Sequence, residues 1–325
     1  MKVIDLIRDS KSTAFSFEIL PPLKGNSIQK VYNVIDKLKE FDPKYINITS
    51  HHSEFVYKTL PDGSFQKVNI RKRPGSVAIA SAIQNKYGIT AVPHIICKGF
   101  TKDETEYALI DLNFLGVYDL LLLRGDVKTL EAGQKTDIYH EHATDLQQQV
   151  NDFNKGIAID GSVFEANETP FSYGMACYPE KHEEAPNMES DIFYLKEKVK
   201  NGADYLVTQM FFDNNIYYRF LYKALAKGID VPVTAGIMPV TNAAQVKRTI
   251  SLTGNLVPAK FLSIVDRFGD NPAAMKQAGI AYATEQIIDL IANGVNHIHI
   301  YSMNKPDVAA AIMNNLSQIY VREQA

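Results

Sequence analysis

The chain has 325 residues, 46% hydrophobic and 22% charged, with a formal net charge of −3. That composition supports a large buried core and offers no broad basic face for nucleic acid, since the run Arg71-Lys72-Arg73 is short and isolated. Only two cysteines occur, Cys97 and Cys177, each closing an apolar run, which argues against a disulfide framework or a thiolate metal site. No segment reaches the roughly 18 uninterrupted apolar residues of a membrane helix. Residues 1–9 alternate charge with apolar groups at helical spacing and lack the apolar stretch of a signal peptide, so a cytoplasmic protein is expected.

In chain order, short β-rich apolar runs alternate with amphipathic segments, as in βα units around a parallel sheet. Strands are expected at 14–20, 45–49, 90–97, 119–124, 172–178, 205–211, 231–236 and 296–301. Helices are expected at 28–39, 77–87, 102–115, 141–153, 190–201, 214–226, from 243 to 252 with an extension, and at 306–320. Several close on helix-stop signals such as Lys86-Tyr87-Gly88 and Asn201-Gly202. Eight such units, with no Gly-x-Gly-x-x-Gly after the first strand, predict a single-domain α/β chain over 1–325. The expected fold is a (β/α)8 TIM barrel, rather than a doubly wound sheet, with extra helices between strands 7 and 8, at 258–292. Residues 51–75 read as a long polar loop after the second strand.

Barrel active sites are assembled where strands end, so polar residues at those positions carry the information. They are Glu18, Thr49, His94, Arg124-Gly125-Asp126, Tyr178-Pro179-Glu180, Gln209 and Asp213. Glu18 interrupts Phe15-Ser16-Phe17-Glu18-Ile19-Leu20, where desolvation favours the protonated carboxyl and suits a general acid. The structural alternative is a buried Glu paired with a barrel cation. Leu123-Arg124-Gly125-Asp126 empties a buried strand into a charged turn able to meet a phosphate or ring heteroatoms, or to form a local ion pair. His94 alone reads most simply as a satisfied core histidine. His51-His52 lies in the polar loop, His140-Glu141-His142 has the wrong spacing for a zincin helix, and His297 with His299 reads as structural, so no metal site is expected.

Taken together the strand-end motifs resemble the methylenetetrahydrofolate reductase family, from about Phe15 to Lys305. The carriers are Ser16-Phe17-Glu18 with Pro21-Pro22, Ala91-Val92-Pro93-His94, Leu123-Arg124-Gly125-Asp126, Tyr178-Pro179-Glu180-Lys181-His182-Glu183-Glu184-Ala185, Thr208-Gln209-Met210-Phe211-Phe212-Asp213 and Ala235-Gly236-Ile237-Met238-Pro239-Val240. Each is weak alone; their order at successive strand ends makes the signal specific.

The resemblance implies an FAD-containing barrel that reduces 5,10-methylenetetrahydrofolate to 5-methyltetrahydrofolate with NADH or NADPH, in two half-reactions at one site. It implies catalytic roles for Glu18 as general acid and Asp126 as a carboxylate near flavin and pterin. Thr49, Gln209 and Lys305 would bind substrate, Lys305 where the family often has an arginine for the glutamate tail. His94, Leu123, Arg124, Gly125, Asp126, Tyr178, His182, Asp191 and Lys198 would contact FAD. Departures fall at Glu197, where some relatives carry a basic residue, at His142, where an aromatic is common, and at Ala243, where some place a phenylalanine. A homo-oligomer is expected, and a regulatory region like that of longer relatives is expected to be absent. Two other readings stay open: a flavin-free barrel lyase or aldolase, with Glu18 as base and Arg124 holding an anionic substrate, and a non-catalytic folate- or flavin-binding module.

Overall fold

Strands rich in apolar and aromatic residues are buried here along their whole length, which is the signature of a parallel sheet covered on both faces. All six residues of the first strand, Ala14–Ile19, are buried, as are all four of the second, Tyr45–Ile48. The computed structural model describes residues 1–51, 54–97, 100–125, 138–246, 249 and 256–320. In chain order the strands are β1 (Ala14–Ile19), β2 (Tyr45–Ile48), β3 (Glu54–Thr59), β4 (Phe65–Ile70), β5 (Thr90–Ile96), β6 (Asp119–Leu123), β7 (Ser172–Cys177), β8 (Tyr205–Thr208), β9 (Val233–Ile237) and β10 (His297–Tyr301). Eight of them close into a barrel in the order β1-β10-β9-β8-β7-β6-β5-β2, while β3 and β4 pair with each other. The expected (β/α)8 barrel is therefore present. Its extra helices, Ala259–Phe268 and Pro272–Ala292, lie between the seventh and eighth barrel strands.

The described chain forms two compact units. One holds Met1–Ile19, Val34–Asn47 and the chain from Ser172 on; the other holds Leu20–Asn33 and Ile48–Phe171. In the first, β1 pairs with β10 in the register Ser16↔His299 and Glu18↔Tyr301, so these four side chains share the inward face. His299 is buried, and its Nδ1 lies 2.8 Å from Ser16 Oγ and 3.4 Å from Asn47 Nδ2. Because the asparagine amide nitrogen only donates, Nδ1 is the accepting nitrogen and the ring proton sits on Nε2. His297 meets the carbonyl of Ile7 at 3.2 Å, which ties the helix Val3–Arg8 to the start of β10.

Strand ends depart from the sequence expectation for identifiable reasons. β8 stops at Thr208 rather than 211, because Gln286 Nε2 donates to Phe211 O and the Tyr282 hydroxyl to Phe212 O, drawing those carbonyls out of the ladder. Both donors come from the helix Pro272–Ala292. The same helix covers an apolar cluster of Phe212, Val240, Val246, Phe261 and Met275. β9 begins at Val233, since Pro232 has no N–H to give; its carbonyl instead accepts from Leu206.

In the second unit, the segment expected to be a loop at 51–75 is instead the antiparallel hairpin β3/β4, paired from Glu54↔Ile70 to Thr59↔Phe65. Its turn is set by Asp62, whose Oδ1 accepts from the Ser64 N–H at 2.9 Å. Tyr57, Lys58, Thr59, Phe65, Gln66 and Lys67, towards the turn, are all exposed, while Val56, Val68 and Ile70 are half-buried, so the turn end of the ribbon reads as polar surface. Arg71 pairs with Glu104 at 2.6 Å, and the Arg73 guanidinium donates to Pro21 O. No described helix is long and apolar enough to cross a membrane.

Two measurements test this packing. Glycine inside a helix ordinarily costs about 1 kcal/mol relative to alanine. At Gly279 a Cβ would collide with the carbonyl oxygen of Val240, so Gly279→Ala should destabilise by about 1–3 kcal/mol in urea denaturation instead of stabilising. Burial lowers His299 from 6.5 to about 3, so the unfolded chain takes up this proton first. Stability held above pH 6.5 then falls as the pH drops, by about 2 kcal/mol between pH 8 and pH 5 from this residue. His299→Gln should flatten the pH dependence by that amount, and an unchanged slope would show that the ring titrates normally.

Candidate active site

In the first unit, the inward-facing end of β1 carries Glu18, which is 8% exposed. Its main-chain oxygen accepts a 2.6 Å hydrogen bond from the hydroxyl of buried Ser302, just past β10. Across the ladder stands Tyr301, whose hydroxyl donates to Thr208 O at 2.7 Å. Burial first, and the charge of Glu18 second, hold the Tyr301 phenol far above its ordinary range, so it stays un-ionised. The ring has space because residue 236 is glycine: a Cβ there would lie 2.5 Å from Thr208 O and 2.8 Å from the Tyr301 ring.

Gln209 follows β8. Its main-chain N–H continues the sheet to Cys177 O at 2.8 Å, and its side-chain Oε1 accepts from the Met210 N–H at 2.9 Å. The carbonyl end of the amide is thus fixed by the backbone, which orients the –NH2 donors. Asp213 is committed elsewhere: it caps the helix Asn214–Ala226 by accepting from Asn215 N–H at 2.9 Å.

A second cluster follows β7. Tyr178 and His182 meet edge to face with ring centroids 4.7 Å apart, and Lys198 Nζ lies 5.9 Å from the Tyr178 centroid. Lys198 donates to Ala176 O at 3.1 Å. His182 N–H donates to Asp191 Oδ2 at 3.0 Å, while His182 Nδ1 accepts from Glu184 N–H at 3.2 Å. Burial raises Asp191 above the usual carboxylate range, against that hydrogen bond and the nearby charges of Lys198, His182 and Lys181. The loop between is pinned by Lys181, which has φ +78° and donates through Nζ to Ala185 O at 2.8 Å. Lys305 stands apart from this cluster, at the start of the helix Pro306–Asn315, with Nζ donating to Thr241 Oγ1 at 3.0 Å.

In the second unit, Thr49 follows β2 and its Oγ1 lies 3.0 Å from His51 Nε2. His94 is 3% exposed within β5, and its carbonyl accepts from both Ser50 and Ser76 hydroxyls. Leu123 ends β6, its carbonyl accepting from Cys97 N–H at 3.0 Å. Arg124 and Gly125 follow, half-buried, with Gly125 at φ +86°, a conformation natural to glycine. Asp126 lies outside the described residues. Among the departures, Glu197 pairs with Lys200 across 4.0 Å, His142 sits at the N-cap of the helix Ala143–Asn154, and Ala243 packs beside Gly269.

In one unit Glu18, Gln209 and Tyr178 stand at strand ends, with His182 in the loop after β7 and Asp191 and Lys198 on the helix Met188–Lys200; in the other Thr49, Leu123, Arg124 and Gly125 stand at strand ends and His94 lies within β5. Sequence reasoning passed over Tyr301 and Ser302. Their signal was their position, since a tyrosine that follows two alternating histidines on a barrel strand faces inward with them.

The whole-chain comparisons agree in kind. The chain is 29% identical to 5,10-methylenetetrahydrofolate reductase of Escherichia coli (strain K12), over 93% of this chain and 90% of that protein. It is 28% identical to the enzyme of the same name from Pectobacterium carotovorum subsp. carotovorum, over 93% and 89%. Against methylenetetrahydrofolate reductase (NADH) 1 of Arabidopsis thaliana the identity is 28%, over 98% of this chain and 51% of the plant protein. In fold it resembles an uncharacterized protein from Clostridium thermocellum described as binding two copies of 5-methyl-5,6,7,8-tetrahydrofolic acid. The TM-score there is 0.54 and the identity 14%, over 98% of this chain and 99% of the other, a likeness of fold alone. The model of the methylenetetrahydrofolate reductase family matches residues 2–317, and the chain belongs to that family.

Proposed function

We propose that this chain reduces 5,10-methylenetetrahydrofolate to 5-methyltetrahydrofolate with NADH or NADPH, and that it does so as an FAD enzyme. The observation that carries the reading is the buried carboxyl of Glu18 at the inner end of β1, an acid withheld from water on a face it shares with Ser16, His299 and Tyr301. Such a group suits proton donation to a nitrogen of the folate's five-membered ring, which opens it to an electrophilic one-carbon iminium. Gln209, with its amide carbonyl held by Met210 N–H, directs two N–H donors towards a pterin-like edge. Lys305 offers a cation to a carboxylate tail.

The residues after β7 fit a flavin dinucleotide in their chemistry. Lys198 and His182 supply positive or donating groups suited to a diphosphate, Tyr178 supplies an aromatic wall, and half-buried Asp191 supplies a carboxyl for hydroxyl donors. At the end of β6, Gly125 in its left-handed turn permits a close backbone approach of a ligand beside Arg124, and by family resemblance Leu123 and His94 are cofactor contacts and Thr49 a substrate contact. Asp126 would place a negative charge near the flavin. When bound, FAD would supply the hydride-transfer chemistry that links the nicotinamide to the one-carbon unit, in a ping-pong sequence. This chain's residues hold the ligands in turn, exclude water and provide the proton.

The purified protein should be yellow, with an absorption band at about 450 nm that bleaches anaerobically with reduced nicotinamide and returns on adding methylenetetrahydrofolate. A colourless, flavin-free protein would favour the lyase reading instead. Glu18→Gln should keep the colour and the bleaching, yet slow the return roughly 10²- to 10⁴-fold, as expected for loss of a general acid. Normal folate turnover in that variant would remove Glu18 from the mechanism.

A further inference from the structure

Glu180 belongs to a strand-end motif and takes no part in the folate chemistry proposed above, yet it lines a cavity of about 450 Å³ in the first unit. That volume suits a small molecule, for which sites of roughly 300–1,000 Å³ are usual. The helix Asn214–Ala226 gives the cavity Ile216, Arg219, Phe220 and Lys223, whose spacing sets them on one face. Pro179, Met188 and Leu256 add the rest of its apolar wall. None of the residues assigned above to FAD or to folate lines it. Glu180 Oε2 accepts from Leu256 N–H at 2.7 Å, while Oε1 is buried with no hydrogen bond among the described residues. Burial raises this carboxyl above its ordinary range, against the Leu256 hydrogen bond, which favours the neutral form.

We propose that this cavity is an effector site for a small carboxylate with an apolar body, the carboxylate held by Arg219 and the body by Ile216, Phe220 and Leu256. The charges decide the class of ligand. Of the three cations along the wall, Lys181 donates through Nζ to Ala185 O at 2.8 Å, and Lys223 Nζ pairs with Glu189 at 3.6 Å. Arg219 has no hydrogen bond or ion pair among the described residues, so its planar fork of donors is open to a carboxylate. The acids along the wall do not cancel it, since Glu183 is exposed and screened by water and Glu180 is drawn towards neutrality. The effector role rests on the flavin reading above, because Pro179, Glu180, Lys181 and Glu183 belong to the same loop as Tyr178 and His182. A ligand that fills a cavity lined by this loop restrains it. By linkage, ligand and flavin then strengthen each other's binding by one common factor.

The test adds 4-(trifluoromethyl)benzoate to the FAD-loaded protein and reads binding from the broadening of the probe's fluorine NMR line. Saturating 5-methyltetrahydrofolate is present throughout, so the folate site is closed to the probe. The wild type should bind it, and Arg219→Glu should weaken binding roughly 10- to 100-fold, as expected for loss of a charge-assisted hydrogen bond. The uncharged 4-(trifluoromethyl)benzamide should bind both proteins weakly and alike. Arg219 is exposed and unpaired, so the variant should fold and turn over folate at the wild-type rate. Saturating probe should also slow flavin release from the wild type about 5-fold or more, followed by flavin fluorescence after dilution, and leave release from Arg219→Glu unchanged. No broadening in the wild type, equal binding of the benzoate to both proteins, or a release rate that the probe does not alter each overturns the inference. If Arg219→Glu does not fold, Arg219→Gln removes the charge and must show the same loss of binding. Should the wild-type protein hold no flavin, the reductase reading fails by itself; the NMR comparison needs no flavin and still decides whether the cavity takes the carboxylate.

Discussion

The structure of the first unit depends on placing polar side chains on the inner wall of β1 and β10 where water does not reach them. An unpaired polar group in such a place costs free energy on the order of 1–3 kcal/mol, so each must find a partner within the wall. The chain meets this by register. Ser16 lies opposite His299 and gives it a hydrogen bond, Glu18 lies opposite Tyr301, and Ser302 reaches back to the Glu18 carbonyl. A slip of one residue along either strand would turn all of these groups away from one another, which makes the register itself a requirement of the site.

That wall divides by chemistry along its length. His299, deep in β10, is held neutral by burial and by an accepting role at Nδ1, so it rigidifies the centre without changing charge near neutrality. Two residues further on, Tyr301 and Glu18 occupy the strand ends, where ligands in barrels of this kind are met. Glycine does the fitting between these levels. Gly174 gives its space to the Tyr205 ring and Gly236 to the Tyr301 ring, so that large aromatics fill the interior while the Tyr301 hydroxyl still reaches Thr208 O.

The fold was legible because strand and helix periods are local properties. The runs around Phe15–Phe17, Leu120–Leu123 and Met175–Cys177 announce themselves by composition alone, and the Gly that closes Ser76–Tyr87 marks a helix end. What was not legible depends on tertiary partners. The early end of β8 is imposed by Gln286 and Tyr282 from a helix some seventy residues later, which no local pattern encodes. The β3/β4 hairpin was hidden for a different reason: the residues flanking its turn are exposed and mostly polar, so they read as a loop. Glu18 was visible as a charge inside an apolar run, whereas Tyr301 offered only its spacing after His297 and His299, a face but no partner, until its neighbour across the ladder was known.

The group after β7 shows why charge in sequence is a weak guide without geometry. Glu197, Lys198 and Lys200 are alike in a linear reading of one helix, yet Glu197 and Lys200 pair on the surface across 4.0 Å while Lys198 turns inward to the carbonyl of Ala176 and towards the Tyr178 ring. A surface pair of that kind contributes little to stability. Lys198, by contrast, gives up part of its hydration for a main-chain acceptor and an aromatic face beside Asp191, whose own burial raises its pKa despite the cations around it. Two half-buried opposite charges with an aromatic wall, gathered at the end of a barrel strand by a loop turning through a left-handed lysine, suit a ligand that carries charge of its own better than they suit stability.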